Sequence, residues 1–174
     1  MVCAVGAPYP GWGDHGNEHR VATMLQSIWV FFYGTIMNPA VMKDFGVTAG
    51  AVSPAKLAGF DLTIRPRPNL VRSERTHVFG SLMLVTHADL VTIYSHLERH
   101  FGIHYLPEAV LAMTLDGTLR PALCYTVADM ADTPADPAFV NQLAQCVRTM
   151  GHPEWYVSHV ESFGERNAPD KSPQ

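Results

Sequence analysis

Glu98 has the setting that most suggests chemistry. Residues 86–100 carry a helical period, and at about 100° per residue Val91, Tyr94 and Phe101 fall within about 60° of Glu98. Leu90, Ile93 and Leu97 widen that face on one side, while Thr92, Ser95, His96 and Arg99 lie opposite. Glu98 is therefore expected near the middle of an apolar stripe. A carboxyl buried there needs a partner or a raised pKa, and a raised pKa suits it to proton transfer near neutral pH. The same residues allow another reading. Glu98 could sit at the end of the stripe and reach water, or pair with Arg99 or an arginine of the loop around residues 65–75.

A second candidate is the junction Phe32-Tyr33-Gly34-Thr35-Ile36-Met37-Asn38. A glycine directly after an apolar strand and ahead of a helix start lets backbone N–H groups turn toward one point. Such a nest can hold a carboxylate or a developing oxyanion, although a plain tight turn would read the same way. The spacing matches no Walker or Rossmann glycine pattern, which disfavours nucleotide binding. His96, His100 and His104 are four apart, but Gly102 ends the helix before the third, and no HExxH occurs. A solvated polar stripe accounts for them. Cys124 and Cys146 stand in apolar segments and read as small core residues. Arg65, Arg67, Arg72 and Arg75 cluster around one loop, as a solvated surface or as the receptor of a substrate carboxylate.

These groups need elements to position them. Residues 28–33 form a short continuous run of β-branched and aromatic side chains, expected as a buried strand. Pro39 then opens a short helix that Gly46 stops. Residues 51–64 hold one or two strands, 65–69 an irregular loop or edge because of Pro66 and Pro68, and 77–85 another strand. Thr86-His87-Ala88-Asp89 resembles a capping box and starts the Glu98 helix. Strands follow over about 104–114 and 119–127, separated by the Asp116-Gly117 turn signal. Asp136-Pro137 caps a helix through residue 150, and Pro153 opens a last one to about residue 163. Strands with helices inserted and appended give an α+β fold, a small mixed β-barrel or curved sheet.

Composition bounds the rest. The 174 residues are 47% hydrophobic and 16% charged, enough for one domain with a real core. A net charge of −4 argues against general nucleic-acid binding. No apolar run reaches bilayer length. Three cysteines without a CxxC pair disfavour a disulfide framework and point to a reducing cytoplasm. Residues 1–26, punctuated by glycine and proline, read as a disordered leader, with Met24 as a later start; 27–163 form the single domain and 164–174 a flexible tail.

Taken in order, the motifs resemble the γ-glutamylcyclotransferase-like (AIG2-like, butirosin-cluster-type) family. Its apolar strand ending in Tyr-Gly-Ser/Thr stands here as Val30-Phe31-Phe32-Tyr33-Gly34-Thr35-Ile36-Met37. Its Gly-Phe/Tyr strand matches Leu57-Ala58-Gly59-Phe60, and its V-x-G-x-L strand matches Val78-Phe79-Gly80-Ser81-Leu82. A helix bearing a glutamate and a tyrosine opening the next strand match Glu98 and Tyr105, and a later aromatic matches Tyr125. The likeness covers roughly residues 28–127. One departure stands out: the family often has Leu-Asp-x-x-Glu-Gly, where this chain has Tyr94-Ser95-His96-Leu97-Glu98-Arg99, with Glu108 as a second carboxylate nearby.

The resemblance implies a small mixed β-barrel with peripheral helices, and an intramolecular reaction that needs no metal or cofactor. The α-amine of a γ-glutamyl amide attacks its own γ-carbonyl, closing 5-oxoproline and releasing an amine or amino acid. Glu98 would take the ammonium proton and deliver it to the leaving nitrogen. Tyr33, Gly34, Thr35, Ile36 and Met37 would bind the substrate, their backbone nest holding the carbonyl oxygen, with Tyr105 and Tyr125 shaping the pocket. A small-molecule γ-glutamyl substrate, a cytoplasmic monomer or homodimer, and no nucleic-acid or membrane partner complete the expectation. The alternative is a catalytically silent small-molecule-binding protein on the same scaffold, which an exposed Glu98 would favour.

Overall fold

A computed structural model describes residues 27–165, so the leader expected over 1–26 and the tail beyond 165 lie outside the described residues. Five strands close a barrel: β1 (Ser27–Phe32), β2 (Val52–Ile64), β3 (Pro68–Thr86), β4 (Leu106–Thr114) and β5 (Leu119–Thr126), in the order β1-β3-β2-β4-β5. All pairings are antiparallel except the closing one, where β1 runs parallel to β5 with Val30 opposite Leu123 and Phe31 opposite Cys124. Four helices lie around it: α1 (Pro39–Asp44), α2 (His87–Phe101), α3 (Pro137–Thr149) and α4 (Glu154–Glu165). The mixed barrel with peripheral helices is the fold expected from the sequence.

The C-terminal half of β1 is buried on both faces, with Val30, Phe31 and Phe32 all in the core, so it reads as a continuous apolar run, while β3 and β5 pair its two edges. β3 is far longer than the strand expected over 77–85. Its first half, from Pro68, pairs with the end of β2 in a ribbon whose outer side is exposed, so charged residues such as Arg72 hide the strand from an apolar pattern. Only residues 65–67 form the connecting bend. Pro68 is the first residue of the strand, a position that needs no ladder donor. The pairing slips once, at Gly59, whose φ of +84° makes a bulge between Ala58 and Phe60.

Gly80 explains the V-x-G-x-L motif. A Cβ there would collide with the Phe32 carbonyl oxygen and lie 2.9 Å from the tip of the Phe31 ring. The glycine lets β1 and β3 approach at the point where β1 runs into the Tyr33-Gly34 turn.

The helices begin where the sequence marks them. Asn38 and Asp136 accept from Ala40 N and Ala138 N, each at 2.9 Å, with proline at the first helical position. Thr86 and Asp89 form a reciprocal capping box, and Gly102 in the left-handed region (φ 64°) ends α2. α3 and α4 bury Val140, Leu143, Ala144 and Val147 with Tyr156, Val157 and Val160, and Tyr156 meets Phe79 of β3 edge-on at 5.1 Å. α4 continues through Gly164 and Glu165, where the tail was expected to start. Among the described residues, no helix is long and apolar enough to cross a membrane.

Candidate functional site

A cavity of about 290 Å³ opens at the end of β1. Phe31, Phe32 and Tyr33 of the strand end, the Gly34-Thr35-Ile36 turn, Tyr105 and Tyr125 all line it. The remaining wall comes from α1 and its C-terminus, from the Arg67-Pro68 bend, from α2 and from α3. Six of the residues expected to bind substrate (Tyr33, Gly34, Thr35, Ile36, Tyr105 and Tyr125) are therefore brought together. Met37 is not among them. It closes a single 3-10 turn over Thr35–Met37, its N–H donating to the Gly34 carbonyl at 2.9 Å, and its side chain is fully buried in the core.

The tyrosines form one connected wall. The Tyr33 hydroxyl donates to the Tyr125 carbonyl at 2.6 Å, which ties the end of β1 to β5. Tyr94 of α2 stacks on Tyr125 with ring centroids 3.8 Å apart and planes 17° apart, and Tyr105 approaches Tyr94 at 5.7 Å. Asn69 steadies the neighbouring end of β5, donating to the Val127 carbonyl at 2.7 Å and accepting from Val127 N at 3.0 Å.

Burial sets the protonation of these phenols. It pushes Tyr33 and Tyr94 well above the ordinary tyrosine value, helped in both by Cys124 and by neighbouring tyrosines. Burial also raises Tyr125, and lifts Tyr105 to about 12 against a smaller downward pull from the Arg67 guanidinium. All four are neutral at physiological pH. They can donate hydrogen bonds, but they are poor proton acceptors.

Glu98 departs from its expected place. Its side chain is 57% exposed, it does not line the cavity, and it faces His104 Nδ1 at 3.2 Å. The apolar stripe of α2 is centred elsewhere. Leu90 and Ile93 are its buried residues and Leu97 packs against the core, which puts Glu98 one step of about 100° past Leu97. Val91, which drew the expected stripe toward Glu98, is 66% exposed. The α2 side chains that do line the cavity are Tyr94, Leu97 and Phe101. Glu108 does not line it either; it sits on β4 in an ion pair with Arg72.

Asp44, Phe101 and Phe139 also line the cavity, beside Arg67. Asp44, at the C-terminus of α1, is the one carboxylate lining the cavity among the described residues, and it is solvent-exposed. Arg67 sits over two rings, its guanidinium carbon 4.2 Å from the Phe101 centroid and 4.5 Å from the Phe139 centroid. Arg67 was legible only as one of four loop arginines, and nothing in the sequence ties Phe139 to it. Among the described residues, no group of three His, Cys, Asp or Glu side chains converges as metal ligands would.

A family model described as gamma-glutamyl cyclotransferase, AIG2-like, matches residues 30–142. Solved structures share the fold. An uncharacterized human protein aligns at 16% identity with a TM-score of 0.69, covering 86% of this chain and 93% of that one. A gamma-glutamyl cyclotransferase aligns at 15% with a TM-score of 0.66, covering 85% and 92%. A protein from Arabidopsis thaliana aligns at 26% with a TM-score of 0.52, covering 81% and 79%. Among curated proteins, none matches the sequence.

Proposed function

The chain belongs to the gamma-glutamyl cyclotransferase, AIG2-like family, and we propose that within it the protein binds a small molecule in the barrel-end cavity without cyclising it. The observation that carries this reading is the face α2 turns to the cavity, which is Tyr94, Leu97 and Phe101, while Glu98 points to water. Cyclisation of a γ-glutamyl amide is served by a group that takes a proton from the α-ammonium and gives one to the leaving nitrogen, within roughly 3 Å of them or through one water. Leucine and phenylalanine cannot do this. The phenols beside them are held in their neutral form. What the cavity offers instead is binding: apolar and aromatic walls, phenol donors, and the amides of the Gly34-Thr35-Ile36 turn.

In this reading Tyr33, Gly34, Thr35, Ile36, Tyr105 and Tyr125 contact the ligand, and Met37 supports the turn from the core. The test is incubation of the full chain with γ-glutamyl amines, γ-glutamyl dipeptides and glutathione, with 5-oxoproline followed by mass spectrometry. No product is expected. 5-Oxoproline formation would overturn the proposal.

One observation favours a second reading, that of an active cyclotransferase: Asp44 places a carboxylate on the cavity wall. In that case 5-oxoproline forms, and its formation is lost in Asp44→Asn but kept in Glu98→Gln.

A further inference from the structure

Arg67 differs from Arg65 and Arg72 of the same loop cluster. Arg65 and Arg72, two and five residues away, are neutralised by Asp132 and Glu108. Arg67 has no carboxylate within ion-pair distance among the described residues, and none of its side-chain N–H groups has an acceptor there. Its guanidinium nevertheless lines the cavity and is close enough to Tyr105 to pull that phenol's pKa down.

Arg67 is also held in place. Pro66 and Pro68 flank it and restrict the backbone on both sides. The guanidinium carbon lies over the Phe101 and Phe139 rings, two cation–π contacts that hold the head group at the cavity wall. A fork of donors fixed in this way has lost much of its freedom before a ligand arrives, which favours binding.

Resting on the cavity-binding reading above, we infer that Arg67 is the anion receptor of the cavity and that the ligand is a small carboxylate with a flat, apolar body. A planar guanidinium edge matches a carboxylate with two parallel hydrogen bonds. Aromatic side chains, Tyr94, Tyr125 and Phe32 among them, line the cavity that would hold the body. A cavity of about 290 Å³ is on the scale of a small-molecule site, suited to one ring or a fused pair with a short acid arm. A phosphate dianion would call for further cationic donors, and the other charged group lining the cavity is the Asp44 carboxylate.

The experiment is titration calorimetry on the full chain with phenylacetate and indole-3-acetate, each beside its neutral amide, and with inorganic phosphate. At least one acid is expected to bind ten times or more tighter than its amide. Arg67→Gln should remove that preference while the amide still binds, and Arg67→Lys should restore only part of it, because an ammonium keeps the charge without the fork. Equal affinity for acid and amide, failure of both acids to bind, an acid preference that survives Arg67→Gln, or phosphate binding through Arg67 with equal strength would overturn the inference. 5-Oxoproline formation in the separate assay would instead overturn the non-cyclising reading and leave this comparison intact.

Discussion

Replacing Gly80 by alanine tests how the barrel shapes the cavity wall. A Cβ at this position meets the Phe32 carbonyl oxygen and the Phe31 ring, and the first of these is backbone, so no rotamer change relieves the overlap. β1 and β3 must separate where Phe32 faces Ser81 and Phe31 faces Leu82. Overpacking of this kind costs about 1–3 kcal/mol, and a weakened ladder hydrogen bond adds about 1. The smaller entropy of alanine in the unfolded chain returns about 0.5–1. The net loss is about 2 kcal/mol, within a range of about 1–3.5, or roughly 6 °C of melting temperature for a domain of this size. Gly117→Ala is the control. Its φ of +91° is unfavourable to alanine, but nothing lies within 4 Å of the added methyl, so it should cost about 1–2 kcal/mol. Thermal and urea denaturation measure both variants. Ligand binding should also fall in Gly80→Ala, because the displaced strand carries Phe31, Phe32 and Tyr33. If Gly80→Ala loses no more stability than Gly117→Ala, the close strand approach is not what the glycine serves.

Three further outcomes follow from burial and charge. Glu98→Gln should change stability by less than about 0.5 kcal/mol and leave cavity binding unaltered in calorimetry, since its His104 contact is exposed on both sides. His152 is buried, which lowers its pKa to about 4 against a weaker upward pull from the Gly80 backbone, so below about pH 6.5 the unfolded chain binds a proton that the fold refuses. Stability should therefore be complete above pH 6.5 and decline by up to about 3 kcal/mol as pH falls toward 4; urea titrations of His152→Leu should lack this component. Burial raises the Cys124 thiol to about 12 and also raises Cys146, so iodoacetamide at pH 8 should leave both unmodified until the protein is unfolded, with mass spectrometry locating the adducts.

The barrel was legible because its signals are local. The apolar run of β1, the Thr86–Asp89 capping box, the Asp116-Gly117 turn and the Asp136-Pro137 helix start are each set by neighbouring residues. The first half of β3 was not, because a strand paired in a ribbon with its outer side in water shows no run of apolar residues. The cavity was half legible for a related reason. The Tyr33-Gly34-Thr35-Ile36 turn is contiguous in sequence, whereas the Arg67 contacts draw Phe101 from α2 and Phe139 from α3, and only the tertiary fold brings them together.

Glu98 shows where a helical wheel fails. The wheel weights every apolar residue equally, and Val91 and Phe101 moved the apparent centre of the stripe toward the glutamate. In the fold Val91 faces water and Phe101, 44% exposed, lies across the Arg67 guanidinium, so neither marks the core. Leu90, Ile93 and Leu97 set the orientation of α2, because they meet the barrel, and a rotation that buried Glu98 would draw them toward water. Burying a carboxylate in exchange for solvating aliphatic side chains is unfavourable in both terms. The rotation that the barrel imposes on α2 thus turns its acid away from the cavity and leaves Tyr94, Leu97 and Phe101 facing it. Of the α2 side chains at the cavity, only the Tyr94 phenol carries an exchangeable proton, and burial keeps it neutral.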